Sequence, residues 1–249
     1  MQSAREQAMR QSETEYRDAL LADIRQRLKS NSEVERLGAV QATILVEDIA
    51  VIPLLLQMLR EDPCPQVRAT TALAIGILAK SVDRQAVLSH LAEVMCTDPY
   101  DQVRAMAAGA MRLLSMGTRL IADNPALVEA CLKALRDPHP QVVMAATRLL
   151  EEVQSDEVDR ALQQVLTHPN WWVRFGVVDV LVARGCRTET LQEAVLRLFQ
   201  ECPSRSSPLV FDDNEEGNII AKTVEEYLNE LSALLANQVE TSADPNRVG

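Results

Sequence analysis

Asp62-Pro63-Cys64-Pro65-Gln66-Val67-Arg68 is the first clear copy of a phrase that recurs along this chain. The other copies are Asp98-Pro99-Tyr100-Asp101-Gln102-Val103-Arg104, Asp137-Pro138-His139-Pro140-Gln141-Val142-Val143 and His168-Pro169-Asn170-Trp171-Trp172-Val173-Arg174. Their starts are 36, 39 and 31 residues apart, and a degenerate copy at 30–36 precedes the first by 32 residues. Such a period is typical of repeat proteins built from stacked helical hairpins. The repeats therefore predict an all-α solenoid.

The composition of the chain agrees with thin helices that stack closely. Of 249 residues, 47% are hydrophobic but only 3% are aromatic, and 8 glycines leave few tight turns for an all-β fold. The net charge of -11 argues against nucleic acid as a partner, because such binding needs Lys and Arg to displace counterions. The five cysteines are widely spread, so we expect reduced thiols in a cytoplasmic protein. No apolar run approaches the roughly 20 residues that span a bilayer, and the start lacks a signal-peptide apolar region.

Helical periodicity divides each repeat into a first and a second helix. The predicted first helices are about 48–61, 84–97, 125–136, 156–167 and 188–201, and the second helices are about 65–80, 101–116, 140–153 and 171–184. In the turn between them, Asp is expected to cap the second helix and Pro to fit its first turn. The predicted core stripes are Val67, Thr71, Ile75 and Leu78, and then Val103, Ala107, Met111 and Leu114.

The two ends of the chain depart from the repeat pattern. We predict a flexible N-terminus at 1–13, the repeat solenoid at 14–201, an acidic loop rich in Pro and Ser at 202–217, a C-terminal capping helix at 218–237 and a disordered tail at 238–249. The capping helix is inferred from the periodic positions of Ile219, Ile220, Val224, Leu228, Leu231 and Leu235. The acidic run at 212–216 is interpreted as a solvated loop, with a clip for a basic partner as the alternative.

The unit at residues 52–68 resembles those of the HEAT-repeat family. Ile-Pro-Leu-Leu-Leu-Gln-Met-Leu is followed there by Asp-Pro and then Val-Arg. The resemblance covers residues 16–201 and implies a right-handed α-solenoid of about five HEAT-like hairpin repeats, closed by the C-terminal capping helix.

The same resemblance implies a polar ladder along the turns. The family pattern would pair Asp62, Asp98 and Asp137 with Arg68, Arg104 and their neighbours. Val143 stands where the pattern has Arg, and His168 stands where it has Asp. The ladder is therefore expected to weaken around the fourth and fifth repeats.

Short units of the form Asp-Pro-x-x-x-Val-Arg-x-x-Ala-Ala also resemble those of the phycobilin-lyase-type HEAT proteins of cyanobacteria. That group includes bilin lyase subunits and phycobilisome-degradation factors. The resemblance implies a bilin chromophore as a ligand and a phycobiliprotein as a partner. Trp171 and Trp172 are the only tryptophans, and a planar bilin could stack on them. Because they are adjacent at the start of a helix, they cannot both face the core, and the alternative is that they fill the junction where the repeat spacing shortens to 31.

Second helices are expected to line the inner surface of the solenoid, where repeat proteins bind their partners. Helical geometry projects matching positions from each of them, and these positions change from apolar toward charged along the chain. The alternative is that tighter packing buries some of them. The candidate partner-binding residues are Thr70, Leu73, Ile77, Met106, Leu113, Ala145, Arg148, Trp171, Trp172 and Asp179.

The sequence shows no convergent catalytic set. His90, His139 and His168 lack the i, i+4 spacing of a metal site, and Cys64, although in a turn, has no adjacent base. We therefore expect a non-enzymatic scaffold, adaptor or assembly chaperone without a cofactor, in which charge reversal at Arg148 together with a bulky residue at Ala145 abolishes binding. The alternative is a bilin-handling factor, which would be lyase-like if it is an enzyme.

Overall fold

The structure is a computed structural model that describes the backbone of residues 2–204, 206, 208–213 and 218–242. Side chains are described for residues 11, 15–204, 206 and 222–235. The chain divides into two compact units, Met1–Ala134 (unit 1) and Leu135–Gly249 (unit 2).

Unit 1 consists of seven helices over its described residues. They are α1 (Gln2–Arg27), α2 (Glu33–Val46), α3 (Ile52–Glu61), α4 (Pro65–Leu78), α5 (Arg84–Thr97), α6 (Asp101–Ser115) and α7 (Pro125–Ala134). Short 3-10 turns precede α3 at Ile49–Val51 and follow α4 at Ala79–Ser81. Consecutive helices pack as hairpins (α1 with α2, α3 with α4, α5 with α6), and the second helices α2, α4 and α6 stack side by side.

Unit 2 continues the alternation and then interrupts it with two strands. Its described elements are α8 (Pro140–Leu149), α9 (Asp156–Val165), α10 (Trp171–Ala183), α11 (Glu189–Gln200), β1 (Pro208–Asp213), β2 (Asn218–Thr223) and α12 (Val224–Ser242). Helix α10 packs against α8, α9 and α11, and α11 packs against α12. The predicted all-α solenoid is confirmed, and each of its nine predicted repeat helices matches an observed helix to within four residues at either end.

Within each unit, the core lies between the helices of the hairpins and between neighbouring second helices. Both predicted stripes, on α4 and on α6, are buried throughout, and the small residues Ala72 and Ala108 are also fully buried. Gly117 and Gly185 follow α6 and α10 with φ angles of +66° and +81°, so these two second helices end in the left-handed conformation that glycine favours.

The stacked second helices α4 and α6 approach each other closely at Gly76 on α4. A Cβ atom placed there would lie 2.9 Å from both Cα and Cβ of Ala110 on α6. Gly76→Ala is therefore expected to force the helices apart and to lower the free energy of unfolding by about 1–3 kcal/mol. Gly109→Ala is the matched control, because nothing lies within 4 Å of a Cβ there. The control should gain about 0.5–1 kcal/mol of helix stability. Urea unfolding of both variants tests this, and equal effects would contradict it.

The predicted capping role of the turn Asp is wrong. The N-cap residues of α4, α6 and α8 are Cys64, Tyr100 and His139, and none of them makes a side-chain cap bond. The Asp stands two residues earlier and shapes the turn instead. Only α10 has a capped start among these four second helices, because the Asn170 side chain accepts from the backbone N–H groups of Trp172 and Val173.

The N-terminal segment differs from its prediction. Helix α1 begins at Gln2, so residues 2–13, predicted to be flexible, continue the helix. The segment contains neither Gly nor Pro and is rich in residues that favour a helix. The predicted tail from 238 is likewise helical as far as Ser242, and residues 243–249 lie outside the described part of the chain.

The predicted loop at 202–217 and helix from 218 are also corrected. Residues 208–213 pair antiparallel with 218–223, with Val210 opposite Ala221, while 214–217 lie outside the described residues. Each strand contains a short run of β-branched or aromatic residues, which periodicity alone cannot tell from part of a helix. The helix starts at Val224 because Thr223 and Glu226 form a capping box: Glu226 N–H donates to Thr223 Oγ1 at 3.2 Å, and Thr223 N–H donates to Glu226 Oε2 at 2.7 Å.

Candidate protein-binding surface

The Asp of each turn accepts a hydrogen bond from the backbone two residues later. Cys64 N–H donates to Asp62 at 2.9 Å, and Tyr100 N–H donates to Asp98 at 2.9 Å. In unit 2, His139 N–H donates to Asp137 at 2.8 Å. This local bond closes the turn and leaves the second carboxylate oxygen available for another donor.

In unit 1 that further donor is the Arg of the preceding repeat. Arg36 Nε and Nη2 donate to the Asp62 carboxylate at 2.6 and 2.9 Å, and Arg68 binds Asp98 in the same way at 2.7 and 3.0 Å. The hydrogen bonds to Asp98 raise the pKa of Arg68. The third guanidinium nitrogen of Arg68 donates to the carbonyl of Asp62, in its own turn. The ladder therefore holds adjacent repeats together, and its polar groups are already paired within the chain.

In unit 2 the ladder was expected to weaken at Val143 and His168, and the structure shows a different outcome at each of the two positions. Val143 is fully buried, so an apolar side chain is packed at the position where the other repeats have an Arg. His168 Nδ1 takes over the turn-closing role, accepting from Asn170 N–H at 3.0 Å. Arg174 donates to the His168 carbonyl at 2.7 Å and forms an ion pair with Glu201, so this rung survives with different residues.

The His168 turn should be sensitive to pH. Burial, together with the nearby Arg174 charge, lowers the pKa of His168, and Nδ1 can accept the Asn170 N–H only when the ring is neutral. A pKa lower in the folded than in the unfolded chain means that stability is present above the ordinary His value, about 6.5, and falls as pH drops through the folded pKa. Between pH 8 and 5.5, the urea midpoint of the wild type should fall more steeply than that of His168→Asn, which keeps a neutral acceptor. Parallel curves would contradict this role.

The five candidate residues of unit 1 lie on the exposed side of the stacked second helices. Leu73 and Ile77 on α4 are each 38% exposed and Leu113 on α6 is 36% exposed, whereas Thr70 and Met106 are half-buried. Leu45 on α2 stands 32 residues before Ile77, as Arg36 stands before Arg68, and is 84% exposed. We call this surface the second-helix face of unit 1; its residues are Leu45, Thr70, Leu73, Ile77, Met106 and Leu113.

The sequence pattern did not single out Leu45, because the first repeat phrase is degenerate. The signal that could have found it is the common spacing: Leu45, Ile77 and Leu113 each follow the phrase Arg of their own helix by nine residues. The structure places all three near the C-terminal ends of adjacent second helices.

The corresponding side chains of unit 2 bond to one another. Arg148 forms an ion pair with Asp179, Glu151 lies 3.6 Å from Arg148, and the hydroxyl of Tyr227 on α12 donates to Asp179. Burial, followed by the bond to Asp179, raises the pKa of Tyr227, so the hydroxyl keeps its proton. Ala145 is half-buried on α8. The polar groups that sequence reasoning assigned to a partner therefore already have partners within the chain.

The two tryptophans have different environments, as the sequence suggested. Trp171 is buried, stacks on Phe175 at a centroid distance of 5.3 Å, and donates from Nε1 to the Leu198 carbonyl at 3.1 Å. Trp172 is 38% exposed and meets Trp171 edge-on at 4.8 Å. Trp171 thus joins α10 to α11, and of the two only Trp172 offers substantial ring surface to solvent.

The other candidate chemistry finds little support in the geometry. None of the five cysteines forms a disulfide, and burial raises the pKa of the Cys131 thiol to about 12, which makes it a poor nucleophile. The Cys64 thiol lies 3.2 Å from the side-chain oxygen of Gln66. Over the described residues, no group of three or more His, Cys, Asp or Glu side chains could hold a metal ion. No described helix has the length and apolar character needed to cross a membrane.

The hairpin repeats and the stacked second helices define an α-helical repeat protein. The sequence matches HEAT repeats over residues 21–112 and 124–206, which is more than half of the chain, and the protein belongs to that family. No curated protein matches the sequence.

Solved structures with a similar fold include the following two. YibA of Escherichia coli is 15% identical with a TM-score of 0.58, over 74% of this chain and 65% of that one, so this chain spans slightly less than two thirds of YibA. An engineered protein is 15% identical with a TM-score of 0.54, over 89% of this chain and 96% of that one. At this identity the likeness concerns the fold alone, and the resemblance to phycobilin lyases is not confirmed.

Proposed function

We propose that this chain is a non-enzymatic protein-binding scaffold, adaptor or assembly chaperone whose partner contacts the second-helix face of unit 1. One observation carries the proposal: three adjacent second helices expose Leu45, Ile77 and Leu113 at equivalent positions. The core stripes of α4 and α6 are complete without these side chains. Exposed apolar side chains that cluster in this way mark interaction sites more often than isolated ones do.

Unit 1 is a better candidate than unit 2 because its exposed groups are not already engaged. Arg148 and Asp179 in unit 2 pair with each other, and Asp179 also accepts from the Tyr227 hydroxyl. Charge reversal at Arg148 would break that network, so a loss of binding in such a variant could reflect local unfolding. Substitutions at Leu73 and Ile77 avoid this ambiguity, because both side chains are already partly exposed to water.

The test is affinity capture from the source lysate, followed by mass spectrometry, with three versions of the full chain. The wild type should capture a stoichiometric partner, and Leu73→Gln/Ile77→Gln should lose it. Leu196→Gln is the matched control, since Leu196 is an exposed leucine on α11 of unit 2. Surface changes of this kind usually alter stability by less than about 0.5 kcal/mol, which circular dichroism and thermal unfolding can check. Capture that is equal for all three versions would contradict the proposed surface.

The alternative function is the handling of bilin-carrying proteins in the cytoplasm. The observation that favours it is the exposed ring of Trp172, on which an open-chain tetrapyrrole could stack. Adding biliverdin should then intensify or red-shift its visible absorbance, with Trp172→Leu abolishing the change. An unchanged spectrum, with and without a phycobiliprotein, together with capture of one unrelated partner, would reject this alternative and favour the adaptor.

A further inference from the structure

The spacing of the apolar residues on the second-helix face of unit 1 restricts the shape of a partner. Leu45, Ile77 and Leu113 lie one on each of three helices that pack side by side. Packed helices have axes about 8–10 Å apart. A partner that contacts all three must therefore present apolar side chains at about that interval, all on one of its own faces.

An α-helix meets this requirement and a β-strand does not. Seven residues of a helix rise about 10 Å and return to nearly the same face. In a strand, residues on one face are about 6.6 Å apart, and the residue about 10 Å away points to the opposite side. A partner helix lying across α2, α4 and α6 can thus place one apolar residue against each of them. Leu73 can then contact a turn of the partner helix between two of these apolar residues.

The charged residues beside the apolar ones indicate which polar residues a partner helix should carry. Lys80 follows Ile77 by three residues and Arg112 precedes Leu113 by one, and both are exposed. Within the described part of the chain, neither side chain forms an ion pair. These two cations belong to a chain whose net charge is -11, and they flank the face at α4 and α6. Glu47 is exposed next to the α2 end, so the preference for acidic groups is confined to the other two helices.

We propose that the second-helix face of unit 1 binds an amphipathic helix of a partner protein, with apolar residues every seven positions and Asp or Glu beside those that meet α4 and α6. This inference rests on the proposed function and names the partner's chemistry. The apolar residues provide most of the binding energy, and the acidic residues orient the helix through Lys80 and Arg112.

The probe is a fluorescein-labelled synthetic peptide of three heptads. Each heptad has Leu at its first and fourth positions, and two of the three heptads have Glu at the positions beside these Leu residues. A second peptide carries Lys in place of Glu, and a third has the first composition with a central Pro, which breaks the helix. Binding to the full chain is measured by fluorescence anisotropy. The Glu peptide should bind at least tenfold more tightly than either of the others.

Variants of the chain then locate the site. Ile77→Gln should weaken binding of the Glu peptide about tenfold, a change of about 1.4 kcal/mol. The control Leu196→Gln should leave it unchanged. In the double variant Lys80→Glu/Arg112→Glu, the preference should reverse, so that the Lys peptide binds more tightly than the Glu peptide. Circular dichroism of each variant confirms that it remains folded.

Three results would overturn the inference: no binding of the Glu peptide, equal binding of the Glu and Lys peptides, or binding that Ile77→Gln does not change. The proposed function would survive if Leu73→Gln/Ile77→Gln still lost the captured partner while the peptides failed. If Leu73→Gln/Ile77→Gln still bound both the captured partner and the Glu peptide, the proposed function and this inference would both be overturned.

Discussion

Arg184→Met is expected to lower the free energy of unfolding by about 3 kcal/mol, measured by urea denaturation at pH 7. The Arg184 side chain is only 1% exposed and binds Asp159 through two nitrogens at 2.9 and 2.7 Å. Its remaining terminal nitrogen donates to the carbonyl groups of Leu150, Glu151 and Val153, just beyond the end of α8. Met fills a similar volume but leaves these acceptors without their donor.

Arg197→Met is the matched control for this prediction, in the same unit. The Arg197 side chain is well exposed and lies 3.7 Å from Glu193, one helical turn away. Exposed pairs of this kind contribute little, so the expected loss is below about 0.5 kcal/mol. If Arg184→Met cost no more than the control, the guanidinium would not be what joins α10 to the end of α8.

The Arg68–Asp98 rung should show strong coupling between its two residues. Both side chains are almost fully buried, so removing either partner leaves a buried charge uncompensated. We expect Arg68→Met and Asp98→Asn each to cost about 3 kcal/mol, and the double variant to cost about as much as one of them. Asn is chosen because it can still accept the Tyr100 N–H that closes the turn.

The same set of two single variants and one double variant at Arg119 and Asp123 is the control. These side chains lie 3.5 Å apart but are mostly exposed, so each change and their coupling should stay within about 0.5 kcal/mol. Costs at Arg68 and Asp98 that simply add would mean that the two residues stabilise the fold independently, and the ladder would then be a geometric coincidence.

The Asp–Arg ladder could be predicted only in part from the repeat pattern. The family pattern correctly indicated that Asp and Arg of the turns would pair, but the weakening expected at His168 is not observed, because Arg174 still bonds to the turn and to Glu201. It did not specify that an Arg binds the Asp of the following repeat, as Arg36 binds Asp62. The register depends on how successive hairpins stack, and this is a relation between residues 26 to 30 positions apart that no local pattern contains.

The candidate surface was also predicted only in part. Helical periodicity correctly projected Leu73, Ile77 and Leu113 from the core. It could not distinguish these from Arg148 and Asp179, which occupy the position of Leu73 in their own helices but bond to each other, and Asp179 also accepts from Tyr227. Tyr227 lies 48 residues beyond Asp179, after an interruption by two strands, so its arrival there could not be predicted from spacing.

The sequence by itself determined the repeat, the helices, the core stripes and the apolar positions left outside them. These follow from local rules, because a period of 31 to 39 residues and a helical spacing of apolar side chains allow few other ways of burying the chain. Only the tertiary structure decided which polar groups bond within the chain, as Arg148 and Asp179 do, and which Arg of the ladder binds which Asp. Those features depend on contacts between distant segments, whose partners are set by packing geometry rather than by any property of the residues alone.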